Sequence, residues 1–590
     1  MFNHKNNKCI LDSIFSSTMG LMILDELSSV GSAVIDGIVT GVGLGGVSMA
    51  ALGVVNPFFS VVSIFTAMVA VGTQKICSNL LGEGKREETS KAFSTAVIMA
   101  LTASVILTFL LLFFSNEIIC FFGVTDTSSE LFVQSRNYLR GLICGIPAII
   151  FVSALTPILQ IVGKKRCAKI AVIIILVADV VLDCCVWLLH GTIYGMGIAT
   201  TISEWLGFGV LICGLIAEND FFRFDLKSFR LEYCVSIFKT GIPKIVRRMC
   251  NTARPVVINR YVLLIGGTLV MNAMSVRSNF ENMASCVGEG LSSAVFLLAS
   301  FYFGEKNSEA IKQLWRKSLR VISILILAIS AVTFIFAEKI ASIYVSDSGS
   351  SIVYISAALR CLAFALPLNA LVETLQGFIQ AAGNIRYANI LMILSRFLCI
   401  TLLVFVMGKL FGVSGLFLAY PLSSLLTLLL FGMVILVKDK KISVQTVLCM
   451  PKELFRLREN SYTKMISSAS EVIDVSCDVM AFCKEKGIDS KRQYYVSLLM
   501  EEILMNITTH GFSKDNKPHS IDIMVMIEDN KITIRIRDNC CKFSIKERYM
   551  TACYSKENPG KGIGIKIVMQ LAQDVEYSNS FGTNNVIIKL

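Results

Sequence analysis

The chain has 590 residues, of which 54% are hydrophobic and 17% charged, against about 25% charged in ordinary soluble domains. That shortage of charge excludes a soluble enzyme as the whole of the molecule. The net charge of +12 does not point to a nucleic-acid partner, because the basic residues fall in short loops between apolar runs.

The first eight residues, MFNHKNNK, are polar and lead into a long apolar stretch, which reads as a first membrane helix rather than a cleaved leader. Runs without any charge occupy 92–116, 321–337 and 410–437, and a span needs about 20 apolar residues. Similar runs recur to about residue 437 and predict about twelve helices. One set of loops carries Lys85, Arg86 and Lys91, then Lys164, Lys165, Arg166 and Lys169, then Arg223, Lys227 and Arg230, then Lys306, Lys312, Arg316, Lys317 and Arg320, and Arg386. The alternate loops carry few, so the first set is expected in the cytoplasm, together with both termini of a multi-pass protein of the cell membrane. The nineteen cysteines are scattered without C-x-x-C or zinc spacing. Several lie in apolar runs, where Cys acts as a small hydrophobe, and a reduced state is expected.

An internal repeat sets the architecture. Pro147, Gln160, Gly163, Arg166 and Ala168 recur as Pro367, Gln380, Gly383, Arg386 and Ala388, each 220 positions on. Gly82-Glu83 is echoed by Gly304-Glu305. Two six-helix halves, about 12–218 and 232–438, follow within a membrane part of residues 1–440. Such pseudo-symmetry is typical of secondary transporters, with a site near the midplane between the halves.

Ionisable residues inside spans are costly and mark function. Asp36 lies in the Gly-rich first helix, and Asp179 and Asp183 share a helix face four residues apart. Close carboxylates suit a proton, or a cation seated between them. In the second half the same offset lands on Cys399 and Leu403, so an ion site would be asymmetric. Arg254, Arg260 and Arg277 lie in or near the seventh and eighth helices, with Glu281, Glu289 and, in the tenth, Glu373. Arg277 and Glu281 have i, i+4 spacing and can simply pair; alternatively, the arginines face the cavity and favour a substrate with an anionic group.

After Lys441 charges become frequent. Residues 441–464 read as a linker with helical pieces. Helical patterns follow at about 466–487 and 490–511, then the alternating strands SIDIMVMIED and KITIRIRD, a helix from about Ile563 and a final strand pair. This is a small α+β sandwich over 465–590. Glu502, Asn506 and His510, at spacings of four, share a helical face that can orient water, hold Mg²⁺ through oxygen and meet phosphate. Asp538 ends a strand, where it can accept an adenine amino hydrogen. Gly560, Gly562 and Gly564 in GKGIGIKIV let backbone N–H groups approach phosphate at a helix start. The phosphate-loop pattern of ATP-driven pumps, G-x-x-x-x-G-K-[ST], is absent from the sequence.

Residues 12–440 resemble the multidrug and toxic compound extrusion (MATE) family, through Asp36, LLGEGKREE, LQIVGKKRCA and YGMGIATTIS in that order. The resemblance implies export of small organic molecules against H⁺ or Na⁺, with an ion site at Asp36, Asp179, Asp183 and Thr200. Asp179 stands where the family usually has Asn. Residues 465–590 resemble the GHKL ATPases, through EEILMNITTH, Asp538 and GKGIGIKIV. That resemblance implies ATP and Mg²⁺, with Glu502 as catalytic base, Asn506 as Mg²⁺ ligand, His510 beside them, Asp538 on adenine and the three glycines on phosphate. Cys540 departs from the pattern, which has Gly there. The helix ending His510-Gly511-Phe512, with Phe543 beyond, is similar to anti-sigma kinases. ATPase or serine/threonine kinase activity and a cytoplasmic protein partner belong to that expectation. Two functions stand: an ion-coupled exporter of drug-like molecules in the lipid bilayer regulated by an ATP-binding domain, and a transport-inactive receptor carrying a kinase or partner-switch domain.

Overall fold

In the computed structural model, the described residues are 9–121, 124, 126–216, 224–344, 349–440, 443–451, 454, 460–513, 518–528, 530–541 and 563–590. The first half runs through α1 (Cys9–Val39), α2 (Gly46–Gly82), α3 (Arg86–Phe121), α4 (Glu130–Leu142), α5 (Ile146–Ile161), α6 (Lys165–Leu188) and α7 (Ile193–Ile216). α4 and α5 join through a 3₁₀ turn into one span. The second half contains α8 (Leu231–Gly304), α9 (Ser308–Val321), α10 (Leu327–Ile335), α11 (Ala337–Tyr344), α12 (Gly349–Ala381), α13 (Ile385–Ile393) and α14 (Cys399–Asp439).

Among the described residues, ten helical stretches are long and apolar enough to cross a membrane. Two of them are too long for one crossing. At 1.5 Å per residue the 74 residues of α8 would reach about 110 Å, against a hydrocarbon layer of about 30 Å. α8 breaks at Gly267 (φ 62°, ψ −161°) and α14 at Gly412 (φ 58°, ψ −135°). Both conformations lie where a Cβ is disfavoured, so each glycine turns one helix into two crossings. Twelve crossings result, as the apolar runs predict.

The repeat is visible in the backbone. Left-handed residues occur at Gly45, Gly84, Gly163 and His190, and again at Gly267, Lys306, Gly383 and Gly412. The repeated glutamines play matching parts. Gln160 Nε2 reaches Met22 Sδ of α1 at 3.8 Å, and Gln380 Nε2 donates to the Thr240 carbonyl of α8 at 2.8 Å. Each ties the end of one span to the first span of its own half.

At the basic end α2 meets the second arm of α8. A Cβ on Gly82 would fall 2.2 Å from the Phe301 carbonyl oxygen, and one on Gly304 would fall 2.1 Å from that of Asn79. Only residues without a side chain permit such an approach, and it shuts this end of the cleft between the halves.

A short helix, α15 (Val444–Val447), capped by Ser443, follows. Leu448, Cys449 and Met450 after it are buried against the membrane core. The last domain holds β1 (Ser461–Ile466), α16 (Val472–Glu485), α17 (Ser490–Asn506), β2 (Ile521–Glu528), β3 (Lys531–Asp538), α18 (Ile563–Leu571), β4 (Asp574–Ser580) and β5 (Thr583–Lys589). The antiparallel sheet has the order β1-β2-β3-β5-β4. β1 thus draws residues 461–464 out of the expected linker and into the sheet. The pleat sends alternate residues to opposite faces. Ile532, Ile534 and Ile536 join the core shared with the helices, while Arg535 and Arg537 point toward the membrane part.

Candidate functional site

The first site lies in the first half. α1 brings Asp36 to α6, whose i, i+4 spacing aligns Asp179 and Asp183. Their carboxylate oxygens lie within 4.8 Å of one another. Asp179 and Asp183 are 3% and 0% exposed. Ser203 Oγ of α7 donates to Asp179 Oδ1 at 3.2 Å, and the hydroxyls of Ser32 and Thr200 also face this carboxylate. Both oxygens of Asp183 and Oδ1 of Asp36 are buried with no hydrogen-bond partner among the described residues. Three carboxylates at this spacing cannot all stay charged and unpaired in a low-dielectric site. A proton or a cation fits the donor set, which is all oxygen. Two further acids, which the sequence reading passed over, extend the group. Glu204 of α7 has a buried, unpartnered Oε2 and feels the charges of both Asp179 and Asp25. Each is an acid inside an apolar span, and that signal was present in the sequence.

The second half has the opposite character. Arg277 and Glu281 pair at 3.0 Å, as their spacing predicts. Arg247, which the sequence reading also passed over, contacts Glu289 and lies 3.9 Å from Glu373, while Arg396 binds Glu373. These pairs join α8, α12 and the turn after α13. Arg277 further stacks on Tyr420, its guanidinium carbon 3.5 Å from the ring centre. Arg254 lines a cavity here. Arg260 is exposed and outside the cluster. At the positions matching the aspartate pair stand Cys399, buried, and Leu403, as expected.

In the last domain α17 carries Glu502 and Asn506, both half-buried, and a π turn takes the chain on to the exposed His510. Asn506 Nδ2 donates to the Glu502 carbonyl at 2.6 Å. Its amide oxygen is left as an acceptor, which fits an oxygen-seeking cation such as Mg²⁺. Asp538 is 3% exposed. Its Oδ1 accepts from Cys540 N at 2.9 Å and Asn584 Nδ2 at 2.8 Å. Burial pushes its carboxyl above the usual range, against the pull of these donors. The Cys540 thiol also bonds to it and sits so close to Gly511 that a Cβ there would lie 2.9 Å from the sulfur. The residues therefore fit adenine only in part, since Cys540 crowds the carboxylate meant for the base. Gly564 belongs to the first turn of α18; Gly560, Gly562 and Phe543 lie outside the described residues.

The other face of the sheet rests on the membrane part. Arg535 donates from Nη2 to the Gly82 carbonyl and from Nη1 to the Glu305 carbonyl, each at 2.9 Å. One side chain thus bridges equivalent loops of the two halves. Arg537 binds the Glu305 carboxylate, donates to Asn585 Oδ1 at 2.6 Å and lies over the rings of Phe301 and Tyr302. Lys306 pairs with Glu528 at 3.1 Å. Phe581 N donates to the Ile161 carbonyl at 2.9 Å, and its ring meets Phe301 edge-on at 5.1 Å. Asn384 Nδ2 donates to the Cys449 carbonyl at 2.7 Å. Three loops are therefore held by the sheet, and the fourth, at Asn384, by the segment after α15.

Comparison with known proteins fits this geometry. The MatE family model matches residues 22–185 and 243–406, once in each half, and the histidine kinase-like ATPase domain matches residues 468–590. The multidrug export protein MepA of Staphylococcus haemolyticus is 22% identical over 370 residues, 62% of this chain and 80% of that protein. MepA of Staphylococcus aureus (strain NCTC 8325) is 21% identical over 372 residues, with the same shares. Among solved structures, an outward-facing multidrug resistance MATE transporter of the MOP superfamily superposes with TM-score 0.66 at 20% identity, covering 72% of this chain and 96% of that one. A MATE protein in complex with MaD3S superposes with TM-score 0.67 at 20% identity, covering 73% and 97%. Matched in both of its halves, this multi-pass membrane chain belongs to the MatE family and carries a histidine kinase-like ATPase domain at its C-terminus.

Proposed function

We propose that the protein is an ion-coupled antiporter that exports small organic molecules, with a cytoplasmic gate held by its own ATPase-type domain. The observation that carries the coupling is the Asp36, Asp179 and Asp183 cluster, in which Asp36 Oδ1 and both Asp183 oxygens lack partners among the described residues. A site that must gain a positive charge to be stable is one that an ion gradient can load and unload. A proton suits it better than Na⁺, because the third carboxylate adds a group that is most easily satisfied by protonation. Energy comes from that gradient, since the phosphate-loop pattern of ATP-driven pumps is absent from the sequence.

The basic end faces the cytoplasm in this reading. The regulation rests on Arg535, which joins both halves across the closed end. Opening to the cytoplasm separates Gly82 from Glu305 and so breaks one of its two hydrogen bonds. A ligand shifts an equilibrium only by its differential affinity for the two states. ATP would act here by binding the domain differently when docked and undocked. When bound, ATP would supply the phosphoryl group; Asp538 would accept the adenine amino hydrogen, Asn506 would hold Mg²⁺ and Glu502 would orient water. MepA is named as a multidrug exporter, and drug-like amphipathic molecules are the substrates to try first.

The test is transport in vesicles with an imposed proton or sodium gradient, with and without Mg²⁺-ATP on the side of the domain. Gradient-driven transport, lost in Asp183→Asn and changed severalfold by nucleotide, is the expected result. Transport that needs ATP but no gradient, or none under either gradient, would overturn the reading.

A further inference from the structure

From the contacts of β5 we infer that its adjacent residues Asn584 and Asn585 carry the occupancy of the adenine site to both halves of the membrane part. The inference rests on the proposed nucleotide regulation and names the residues through which it acts. β5 lies between β3 and β4, and its register sets Asn584 against Asp538 and Asn585 against Arg537. The pleat turns the two asparagines to opposite faces. One therefore meets the carboxylate meant for the base, and the other meets the arginine seated on the membrane loops.

Asn584 is 1% exposed, and a buried amide needs partners for both of its ends. Its Nδ2 faces Asp538 Oδ1 at 2.8 Å, the Cys541 carbonyl at 3.0 Å and the Cys540 carbonyl at 3.3 Å. Three acceptors on one side fix which end of the amide donates. Its Oδ1 accepts from the Tyr577 hydroxyl at 2.8 Å and from Asn579 Nδ2 at 3.3 Å, both on β4. The other end of the Asn579 amide touches the first half. A Cβ on Gly163 would fall 2.6 Å from Asn579 Oδ1 and 2.9 Å from Gly582 N. Two side-chain amides in series thus reach from Asp538 to the Gly163 loop.

Asn585, 3% exposed, serves the second half. Its Oδ1 accepts from Arg537 Nε at 2.6 Å, and its Nδ2 donates to the Thr583 carbonyl at 3.3 Å. Arg537 in turn binds the Glu305 carboxylate. Asn is poorly suited to a strand, and Val586, Ile587 and Ile588 continue β5 as an ordinary buried one. Packing alone does not call for the pair.

The direction of the effect follows from Cys540. Its thiol bonds to Asp538, so a base reaches that carboxylate only when residue 540 moves aside. Asn584 holds the carbonyls of residues 540 and 541 and shifts with them. The shift weakens its bond to Asn579 and draws Asn585 along the strand. Adenine binding therefore loosens the seats at Gly163 and Glu305 together.

The test uses the full-length protein in phosphatidylcholine nanodiscs. Calorimetry gives Mg²⁺-ATP affinity, and amide exchange is followed over residues 158–165 and 301–307. Saturating Mg²⁺-ATP should speed exchange severalfold in both segments. Mg²⁺-tripolyphosphate, which lacks the base, should do so in neither. Asn579→Ala should abolish the response at 158–165 and keep that at 301–307, and Asn585→Ala should do the reverse. Both variants should bind ATP as the parent does, which also shows that they are folded. A purely structural role would alter exchange without nucleotide but not the difference that nucleotide makes. ATP binding without a change in either segment, an equal response to tripolyphosphate, loss of ATP binding in either variant, or an undiminished response of either variant at its own segment would each overturn the inference. Gradient-driven transport is measured on the same preparations. Exchange that responds as expected while transport ignores ATP sinks the proposed regulation alone. Transport that responds to ATP while both variants keep their responses sinks this inference alone, and a parent chain that binds no ATP sinks both.

Discussion

The two halves of the membrane part share a backbone and differ in charge. Both have six crossings, the same left-handed residues and the same glutamine tie. Yet the first half gathers Asp25, Asp36, Asp179, Asp183 and Glu204 with no cationic side chain against them among the described residues. The second sets Arg247, Arg277 and Arg396 against Glu289, Glu281 and Glu373. Duplication preserved what packing requires, namely the glycine breaks and the loop contacts. It left the buried ionisable groups free to diverge, because no packing rule fixes them. One half thus gathers acids without counter-charges among the described residues, and the other a network of ion pairs.

The sharpest way to break this contrast is Asp36→Asn. Gradient-driven transport in vesicles should fall to that of empty vesicles, with the protein still folded by thermal unfolding. Normal transport in this variant would mean that the acidic half does not couple. Next in size is Arg537→Ala, which removes the last domain's Arg537 hold on the second half. It leaves the Glu305 carboxylate, 2% exposed, with only Arg535, 3.8 Å away, as counter-charge, at a cost to the docked arrangement of about 2–3 kcal/mol. Amide exchange around residues 301–307 should rise markedly, and unchanged exchange would show that the seat holds without this pair. A smaller effect is expected of Asp179→Asn, which leaves two carboxylates and Ser203. Transport should persist with a shallower dependence on the proton gradient; complete loss would show that all three acids are needed. The least is Cys540→Gly, which relieves the crowding beside Asp538. Mg²⁺-ATP affinity of the full chain should improve a few-fold, roughly 1 kcal/mol, by calorimetry. Weaker binding would assign the thiol a supporting role.

Much of this was legible in the sequence for simple reasons. Apolar runs must become spans, and a constant offset of 220 must mean like halves. Asp179 and Asp183 are four apart on one helix, so their pairing is local and readable. That Asp36 joins them required the fold. Arg247 and Arg396 give no such signal, because they meet their acids 42 and 23 positions away, where spacing carries no information. The first four residues of β1, SYTK, carry no apolar alternation and so resemble linker; only their pairing with β2 makes them strand. The alternation in KITIRIRD was plain, but the partner of Arg535, 453 positions away at Gly82, has no trace in local sequence.

β3 is used on both of its faces at once. Its even-numbered residues pack the core and end at Asp538, and its odd-numbered ones seat Arg535 and Arg537 on the membrane loops. Because the pleat alternates strictly, an inserted or deleted residue within 531–538 would exchange the two sets. It would push arginines into the aliphatic core and turn isoleucines toward Gly82 and Glu305. This segment can therefore vary by substitution but not in length, and the two domains share a single reading frame through one strand.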